Sequence, residues 1–373
     1  MRVLGTGTIF DATVAPPAAR FCTFPSLVRM NDGRLIAGFR VGSAKDSADE
    51  DVHLMVSDDD GATWRMQFAG FGEFPPGSGG RIRGIAVTPL GSRLLASLLW
   101  VDHSDPTLPL ASPQTQGILP TKVLVAWSDD AGRSWEAPRE VPLLPHKGNA
   151  TTGSILLLKD GRLALPYEAW KEYDDPSPGL HHAALRLSDN GGASWDELSI
   201  VAHDPQGHIL YWDQRLTVDP LSGNLLAMFW THDRRAQRDI DIHIAWGSSD
   251  GRQWSQPIST GIAGQICAPL TLPDGLVFAA YVHRHHPPSL RAILSDDGGR
   301  TWTAAEELVF YEKRGGQESG MGGARAFGDY WADMSVWTFG HPAPLLLPNG
   351  DIMVAYYAGD EKAMGIHWVR IGL

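Results

Sequence analysis

The sequence contains little cysteine and lacks any long apolar run. Cys22 and Cys267 are its two cysteines, which excludes a disulfide framework and a zinc cluster built on cysteine alone. No stretch approaches the roughly 18 consecutive apolar residues that predict a membrane-spanning helix. The N-terminal segment also lacks the apolar core of a signal peptide, so we expect a cytoplasmic protein.

Basic side chains are also scarce. The chain has 373 residues, 43 of them acidic and 31 basic, so its formal net charge is -12. We therefore expect no nucleic-acid partner and no anionic membrane partner, since both require a basic face. No glycine-rich phosphate loop opens a helix, and no histidine or cysteine spacing matches a zinc site. We accordingly expect no cofactor and no metal.

Glycine, proline and tryptophan are abundant, and one short motif containing two of them occurs five times. The chain has 41 Gly, 26 Pro and 14 Trp, and so many Gly and Pro residues are typical of the frequent turns of an all-β protein. The copies are SDDDGATW (57–64), SDDAGRSW (128–135), SDNGGASW (188–195), SSDGRQW (248–254) and SDDGGRTW (295–302). Each follows an alternating apolar run typical of a strand.

The residue types of the motif indicate a turn. A short Asp side chain accepts hydrogen bonds from backbone N–H groups, Gly adopts positive φ, and Trp buries a large area. The acidic residues of the motif are therefore predicted to be structural, not catalytic or metal-binding.

A second repeat lies between the copies of the first. It consists of two apolar strands around a glycine-centred turn, as in SLVRMNDGRLIAGF and SILLLKDGRLALPY, and it occurs six times. The sixth unit ends in MGIHWVRIGL, and the N-terminal RVLGTGTIF can supply its missing outer strand. We predict an all-β, six-bladed propeller of four-stranded antiparallel sheets over residues 1–373, closed by pairing of the N- and C-terminal strands. A long insertion at about 309–338 is predicted to be a lid.

The short motif is the Asp-box, or BNR repeat, and Asp-boxes on six blades resemble the sialidase (neuraminidase) superfamily across essentially the whole chain. The resemblance implies a carbohydrate site on the rim opposite the Asp-boxes, with Asp46 of SAKDSADED as the acid. It implies a tyrosine nucleophile where His341 stands and a partner glutamate where Asp213 stands. The arginine that the family places before the first blade is matched by Thr23-Phe24-Pro25, so the chain departs from a typical sialidase.

The candidate site residues follow from the chemistry of sugars. Glycoside hydrolysis needs one carboxylic acid and a second group that attacks or activates water. The predicted catalytic residues are Asp46 as acid, Glu168 and Asp213 as competitors for the second role, and His341 as general base or hydroxyl ligand. Aromatic rings stack on sugars, and charged or imidazole edges hold hydroxyls. The predicted substrate-binding residues are Arg40, Arg83, Trp170, Tyr211, Trp212, Arg234, His283 and Tyr357.

Three functions remain open at this point. The first is a sialidase-like glycoside hydrolase that cleaves a terminal sugar from a glycan or oligosaccharide. Because the tyrosine nucleophile is absent, we expect its substrate to be a neutral sugar. The second is a lyase acting on uronic-acid-containing glycans, with His341 or Tyr211 as base and Arg83 and Arg234 beside the carboxylate. The third is a non-catalytic sugar-binding propeller. In each case the expected partner is a carbohydrate.

Overall fold

The computed structural model describes residues 1–151, 153–313 and 328–373. Within these residues the strands form six antiparallel sheets. The chain opens with β1 (Arg2–Phe10). Blade one comprises β2 (Thr23–Arg29), β3 (Leu35–Val41), β4 (Asp51–Ser57) and β5 (Arg65–Phe68). Blade two comprises β6 (Gly80–Leu90), β7 (Arg93–Asp102), β8 (Thr121–Ser128) and β9 (Arg139–Glu140).

Blades three and four each contain one strand that is split into two pieces. Blade three comprises β10 (Gly148–Thr151), β11 (Leu156–Leu157), β12 (Leu163–Trp170), β13 (His182–Ser188) and β14 (Glu197–His203). Blade four comprises β15 (Ile209–Val218), β16 (Leu225–Asp233), β17 (Arg238–Asp239), β18 (His243–Gly247) and β19 (Ile258–Ser259). Strands β10 and β11 both pair with β12, and β17 and β18 both pair with β16. Each blade is therefore a four-stranded sheet, as predicted.

The last two blades complete the ring. Blade five comprises β20 (Cys267–Thr271), β21 (Val277–His283), β22 (Ser289–Ser295) and β23 (Leu308–Glu312). Blade six comprises β24 (Phe339–Leu346), β25 (Ile352–Gly359) and β26 (Met364–Gly372), with β1 as its outer strand. Arg2 lies opposite Gly372, and Phe10 lies opposite Ile366. The predicted six-bladed propeller, closed by its two terminal strands, is confirmed.

Short helical segments connect or precede the blades. They are three 3₁₀ turns (Ala12–Val14, Pro17–Ala19 and Ala304–Glu306) and α1 (Asp329–Val336). Among the described residues, no helix has the length and apolar character needed to cross a bilayer. The predicted insertion begins later than expected, because residues 309–312 belong to β23. Residues 314–327 of that insertion lie outside the described part of the chain, so the lid stays a prediction.

The Asp-box forms the turn between the third and fourth strands of a blade. In blade one the Ser57 hydroxyl donates to Asp59 (2.8 Å) and accepts from the Gly61 N–H (2.8 Å). Asp59 also accepts from the N–H and the hydroxyl of Thr63 at 2.8 and 2.6 Å. The Trp64 indole N–H donates to the Gly61 carbonyl at 3.1 Å. These bonds hold the turn, as the motif predicts.

Apolar side chains pack between neighbouring blades. Leu54 of blade one packs with Val87 and Leu98 of blade two, and all three are fully buried. The second strand of blade one, LIAGFRV, is buried along its whole length because sheets cover both of its faces. The first strand of each blade lies nearest the propeller axis. Its end away from the Asp-box turns faces a central cavity.

Candidate active site

A cavity of about 320 Å³ lies on the axis, a size typical of small-ligand sites. Consecutive residues from the first strand of all six blades line it. The rest of the lining comes mainly from loops and strand ends at the same rim. None of its described lining residues belongs to an Asp-box turn. The cavity therefore opens on the rim opposite the Asp-boxes.

Three first strands carry the same local irregularity. Phe24, Asp213 and His341 have φ values of 54°, 52° and 48°, a conformation that costs non-glycine residues about 1–3 kcal/mol. At each of the three the strand register shifts by a β-bulge. A bulge re-aims side chains, and all three residues line the cavity. Blades one, four and six therefore each place one strained residue at the cavity.

The first ion-pair network of the site joins blades one and two. Arg83 donates one nitrogen to Asp46 and another to Glu50, the latter at 2.7 Å. The same Glu50 oxygen accepts from Arg40 at 2.6 Å, and its second oxygen bonds His103 at 2.8 Å. Asp46 keeps 30% of its side chain exposed, whereas Glu50 is fully buried. Asp46 and Arg83 are thus the members of the network that line the cavity.

The arginines of this network keep its carboxylates ionised. Burial acts to raise the pKa of Glu50, but the charges of Arg83 and Arg40 outweigh burial and lower that pKa to about 2. Asp46 is subject to the same opposition, and the charges of Arg83 and Arg40 hold its pKa below the ordinary value. Asp46 is therefore a carboxylate at neutral pH.

Glu168 and Asp213 form a second acidic group, in which the pKa values are raised and not lowered. Burial, and then the charge of Asp213, raise the pKa of Glu168 well above its ordinary value. Burial also raises the pKa of Asp213, which Arg215 opposes from 3.1 Å. Glu168 accepts a hydrogen bond from the Gln214 N–H at 2.7 Å. The pair therefore holds a proton to higher pH than free carboxyl groups do, and Arg215 favours the charge on Asp213.

Arg215 also fixes the state of His341. Its guanidinium lies 3.0 Å from His341 Nδ1, and because a guanidinium only donates, Nδ1 must accept and Nε2 carries the proton. Burial lowers the pKa of His341 well below 6.5, and the charges of Arg215, Lys45, Arg284 and Arg83 lower it further. His341 is therefore a neutral donor, not the general base that was one of its two predicted roles.

Cations and aromatic rings form the remaining wall. Lys45 donates to the Trp337 carbonyl at 2.8 Å and lies 5.3 Å from the Tyr357 ring centroid. The Arg284 guanidinium lies 4.3 Å from the Trp337 ring centroid and donates to the Phe339 carbonyl at 2.7 Å. All of these residues except Phe339 line the cavity, so the segment that follows α1 contributes directly to the site.

The Trp212 ring rests on a second, buried tryptophan ring. The Trp212 ring stacks on the Trp230 ring with centroids 4.5 Å apart and an interplanar angle of 20°. Trp230 is fully buried, and both rings line the cavity. A rigid, partly exposed indole of this kind can stack on the face of a sugar ring.

The structure brings together all four predicted catalytic residues and three of the eight predicted substrate-binding residues. The predicted residues that line the cavity are Asp46, Glu168, Asp213, His341, Arg83, Trp212 and Tyr357. The remaining five, Arg40, Trp170, Tyr211, Arg234 and His283, do not line it.

Each of those five side chains has a contact elsewhere. Arg40 is fully buried against Glu50. The Trp170 indole donates to the Gln116 carbonyl at 2.8 Å. Arg234 donates to the carbonyls of residues 179 and 207. The Tyr211 ring packs on the ring of residue 229, and His283 bonds the carbonyl of residue 287. These five residues lie outside the cavity lining, and their role in substrate binding stays a prediction.

The prediction missed Lys45, Arg215, Arg284, Met334 and Trp337, all of which line the cavity. Successive side chains of a strand point to opposite faces, so an error of one position selects the wrong residue. His283 was chosen where Arg284 lines the cavity. Arg215 lies two residues after Asp213, and that spacing was the sequence signal that could have identified it as a cavity residue. Trp337 follows an insertion whose path the sequence does not define.

Comparison with known proteins identifies the type of repeat. The sequence matches the profile of the BNR repeat-like domain over residues 101–319. A search of curated proteins finds no match.

Several solved structures share the fold. A protein of unknown function from Dyadobacter fermentans superposes with a TM-score of 0.71 at 19% identity, covering 100% of this chain and 99% of that one. A Hadza microbial sialidase gives 0.66 at 16% identity, with 99% and 68% coverage. The Trypanosoma rangeli sialidase, solved with the inhibitor DANA, gives 0.65 at 13% identity, and this chain spans 58% of its length. These likenesses establish a sialidase-like propeller fold.

Proposed function

The chain belongs to the BNR repeat-like domain family, and we propose that it is a sialidase-like glycoside hydrolase that removes a terminal sugar carrying an acid group. One arrangement carries the proposal: a single cavity contains Asp46, which pairs with Arg83, and the carboxyl pair Glu168 and Asp213, whose pKa values are raised. Carboxyl groups driven to opposite protonation states are the arrangement that glycoside hydrolysis requires.

The charge of the cavity supports an acidic substrate. Its described lining includes four cationic side chains, Lys45, Arg83, Arg215 and Arg284, and three carboxyl groups, Asp46, Glu168 and Asp213, of which the last two have a raised pKa. An excess of cations in a low-dielectric cleft concentrates anions, and guanidinium groups suit carboxylates. We therefore replace the expectation of a neutral sugar. Arg83 of blade two comes close to Phe24, with 5.6 Å between the guanidinium and the ring centroid, at the position where the family's blade-one arginine is missing.

The proton states imply roles for the catalytic groups. In this proposal the Glu168–Asp213 pair protonates the leaving glycosidic oxygen, and Asp46 attacks the anomeric carbon or activates water. This reverses the expectation that Asp46 is the acid, because its ion pair with Arg83 holds it ionised. His341 donates from Nε2 to a ring hydroxyl, and Trp212 stacks on the sugar.

Elimination is less well supported by the same geometry. The lyase alternative relied on His341 or Tyr211 as base. His341 Nδ1 is occupied by Arg215, and Tyr211 does not line the cavity. Hydrolysis, which uses the carboxyl groups present, is therefore the function that the geometry supports best.

The test is a panel of methylumbelliferyl glycosides, some of acidic sugars (sialic, glucuronic and galacturonic acid) and some of neutral hexoses. We expect turnover of an acidic glycoside and a loss of about 10³-fold in kcat/KM for Asp46→Asn and for Glu168→Gln. Asp59→Asn, on the opposite rim, is the matched control and should keep full activity. Preference for a neutral sugar, an unsaturated product with ultraviolet absorbance, or glycan binding without turnover would each contradict the proposal.

A further inference from the structure

Glu50 connects the fold to the cavity without lining it. Its side chain is fully buried, and one oxygen accepts from both Arg40 (2.6 Å) and Arg83 (2.7 Å). Its other oxygen lies 2.8 Å from His103 Nε2. One terminal nitrogen of Arg83 donates to Glu50, and the other donates to Asp46, which lines the cavity. Glu50 therefore contacts Arg83, the ion-pair partner of Asp46, but does not line the cavity itself.

We propose that Glu50 is a positioning residue that orients Arg83 towards Asp46 and the acid group of the substrate. This inference rests on the proposed function and adds a residue to it. The planar guanidinium has a fixed donor geometry, so holding one of its nitrogens at Glu50 determines where the other one points. Without Glu50, Arg83 could turn both nitrogens towards Asp46.

The burial of Glu50 favours this role over a purely structural one. Burying a carboxylate with its cations carries a desolvation cost that the pairing has to offset, and apolar replacements of such groups are often at least as stable. An ion pair elsewhere in the protein provides a comparison: Arg291 and Glu307 pair at 2.7 Å but keep 15% and 21% of their side chains exposed. Neither of them lines the cavity. Glu50, by contrast, is fully buried and pairs with Arg83, which lines the cavity.

The sign of the electrostatic effect can be worked out from the surrounding charges. The charged and titratable groups around Glu50 and Asp46 are Arg40 on β3, Lys45 and Asp49 on the loop after it, Arg83 on β6 and His103 after β7. Removing the negative charge of Glu50 leaves the cations with fewer carboxylates to balance them. The field at Asp46 becomes more positive, so its pKa should fall further.

The experiment titrates Asp46 directly and does not require activity. Carboxyl-carbon NMR of aspartate-labelled protein follows the Asp46 signal, which is assigned by its loss in Asp46→Asn. In Glu50→Gln we expect the Asp46 midpoint to move down by about one pH unit. The matched control, Glu307→Gln, removes the exposed comparison carboxylate and should leave that midpoint unchanged.

A second variant separates position from charge. Glu50→Asp keeps the charge but withdraws the oxygens from Arg83 by one methylene. The Asp46 midpoint should stay near the wild-type value, while kcat on the acidic glycoside falls about tenfold and the change in KM is smaller. If Glu50→Gln does not fold, Glu50→Asp decides the matter through the same two readouts.

Three results would overturn the inference. They are an Asp46 midpoint in Glu50→Gln that does not move or that rises, wild-type kcat in Glu50→Asp, and an equal shift in Glu307→Gln. Failure of the proposed function would look different, because no acidic glycoside would be hydrolysed by the wild-type protein while the Asp46 titration still responded to Glu50.

Discussion

At the scale of single residues, neighbouring charges divide the cavity's carboxyl groups into two kinds. Arg83 keeps Asp46 ionised, whereas burial and the charge of Asp213 keep a proton near Glu168. The carboxyl groups have similar intrinsic pKa values in water. Their different behaviour therefore comes from position, and it assigns them different tasks.

His341 provides the sharpest prediction at this scale. His341→Phe should lower kcat/KM on the acidic glycoside about tenfold by removing the Nε2–H donor. The pH profile should keep its shape, because His341 does not titrate in the working range. Initial-rate measurements between pH 5 and 9 test this. Disappearance of a limb near the ordinary histidine pKa would show that His341 acts as a base.

The same group has a predicted effect on stability. The pKa of His341 is depressed in the folded protein, so the unfolded chain binds more protons below about pH 6.5. Folding stability should therefore fall as the pH drops through that value, and it should fall less steeply in His341→Gln. Urea unfolding at two pH values measures the difference.

The sequence allowed some of these residues to be identified and not others. Asp46, Asp213 and His341 were located because the resemblance to the sialidase superfamily assigns catalytic roles to these positions on the rim opposite the Asp-boxes. Arg40 and His283 were misplaced because side-chain direction changes with every residue along a strand. The ion pair that joins Arg83 to Glu50 depends on contacts between blades, which no local pattern encodes.

At the scale of elements, the blade has two specialised ends. The Asp-box end is held by hydrogen bonds that a short acidic side chain accepts, and the residues that form it were predictable because the motif itself encodes the turn. The opposite end carries the β-bulges at Phe24, Asp213 and His341. No local sequence pattern marks these bulges. The register shift that orients the three side chains was therefore not predictable.

A turn substitution tests the separation of the two ends. Asp130 accepts from the Ser128 hydroxyl (2.9 Å) and from the N–H (2.9 Å) and hydroxyl (2.6 Å) of Ser134. Asp130→Ala should lower the free energy of unfolding by about 1–3 kcal/mol and leave kcat/KM unchanged. Denaturant unfolding and the glycoside assay measure the two effects.

The neighbouring acid supplies the control. Asp129 is 69% exposed and pairs with Arg93 on the surface, where ion pairs contribute little. Asp129→Ala should therefore destabilise the protein less than Asp130→Ala. A loss of activity in Asp130→Ala without loss of stability would show that the Asp-box rim takes part in the reaction, contrary to this account.

At the scale of the whole molecule, closure of the ring creates the site. Every blade contributes residues of its first strand to the cavity, and the pairing of β1 with β26 holds blade six beside blade one. The repeat count and the order of strands made this closure predictable from the sequence. The excess of cations in the cavity was not predictable, because the protein as a whole carries a net charge of -12.

The most direct test of the account is the dependence of rate on the leaving group. Aryl glycosides of the acidic sugar, from dinitrophenyl to unsubstituted phenyl, should be measured with the wild type, Glu168→Gln and Asp46→Asn. We expect Glu168→Gln to hydrolyse the dinitrophenyl glycoside nearly as fast as wild type and the phenyl glycoside far more slowly. Asp46→Asn should be slow on all of them. Restored activity of Asp46→Asn with the dinitrophenyl leaving group, alongside a uniformly slow Glu168→Gln, would contradict the assignment of the proton donor.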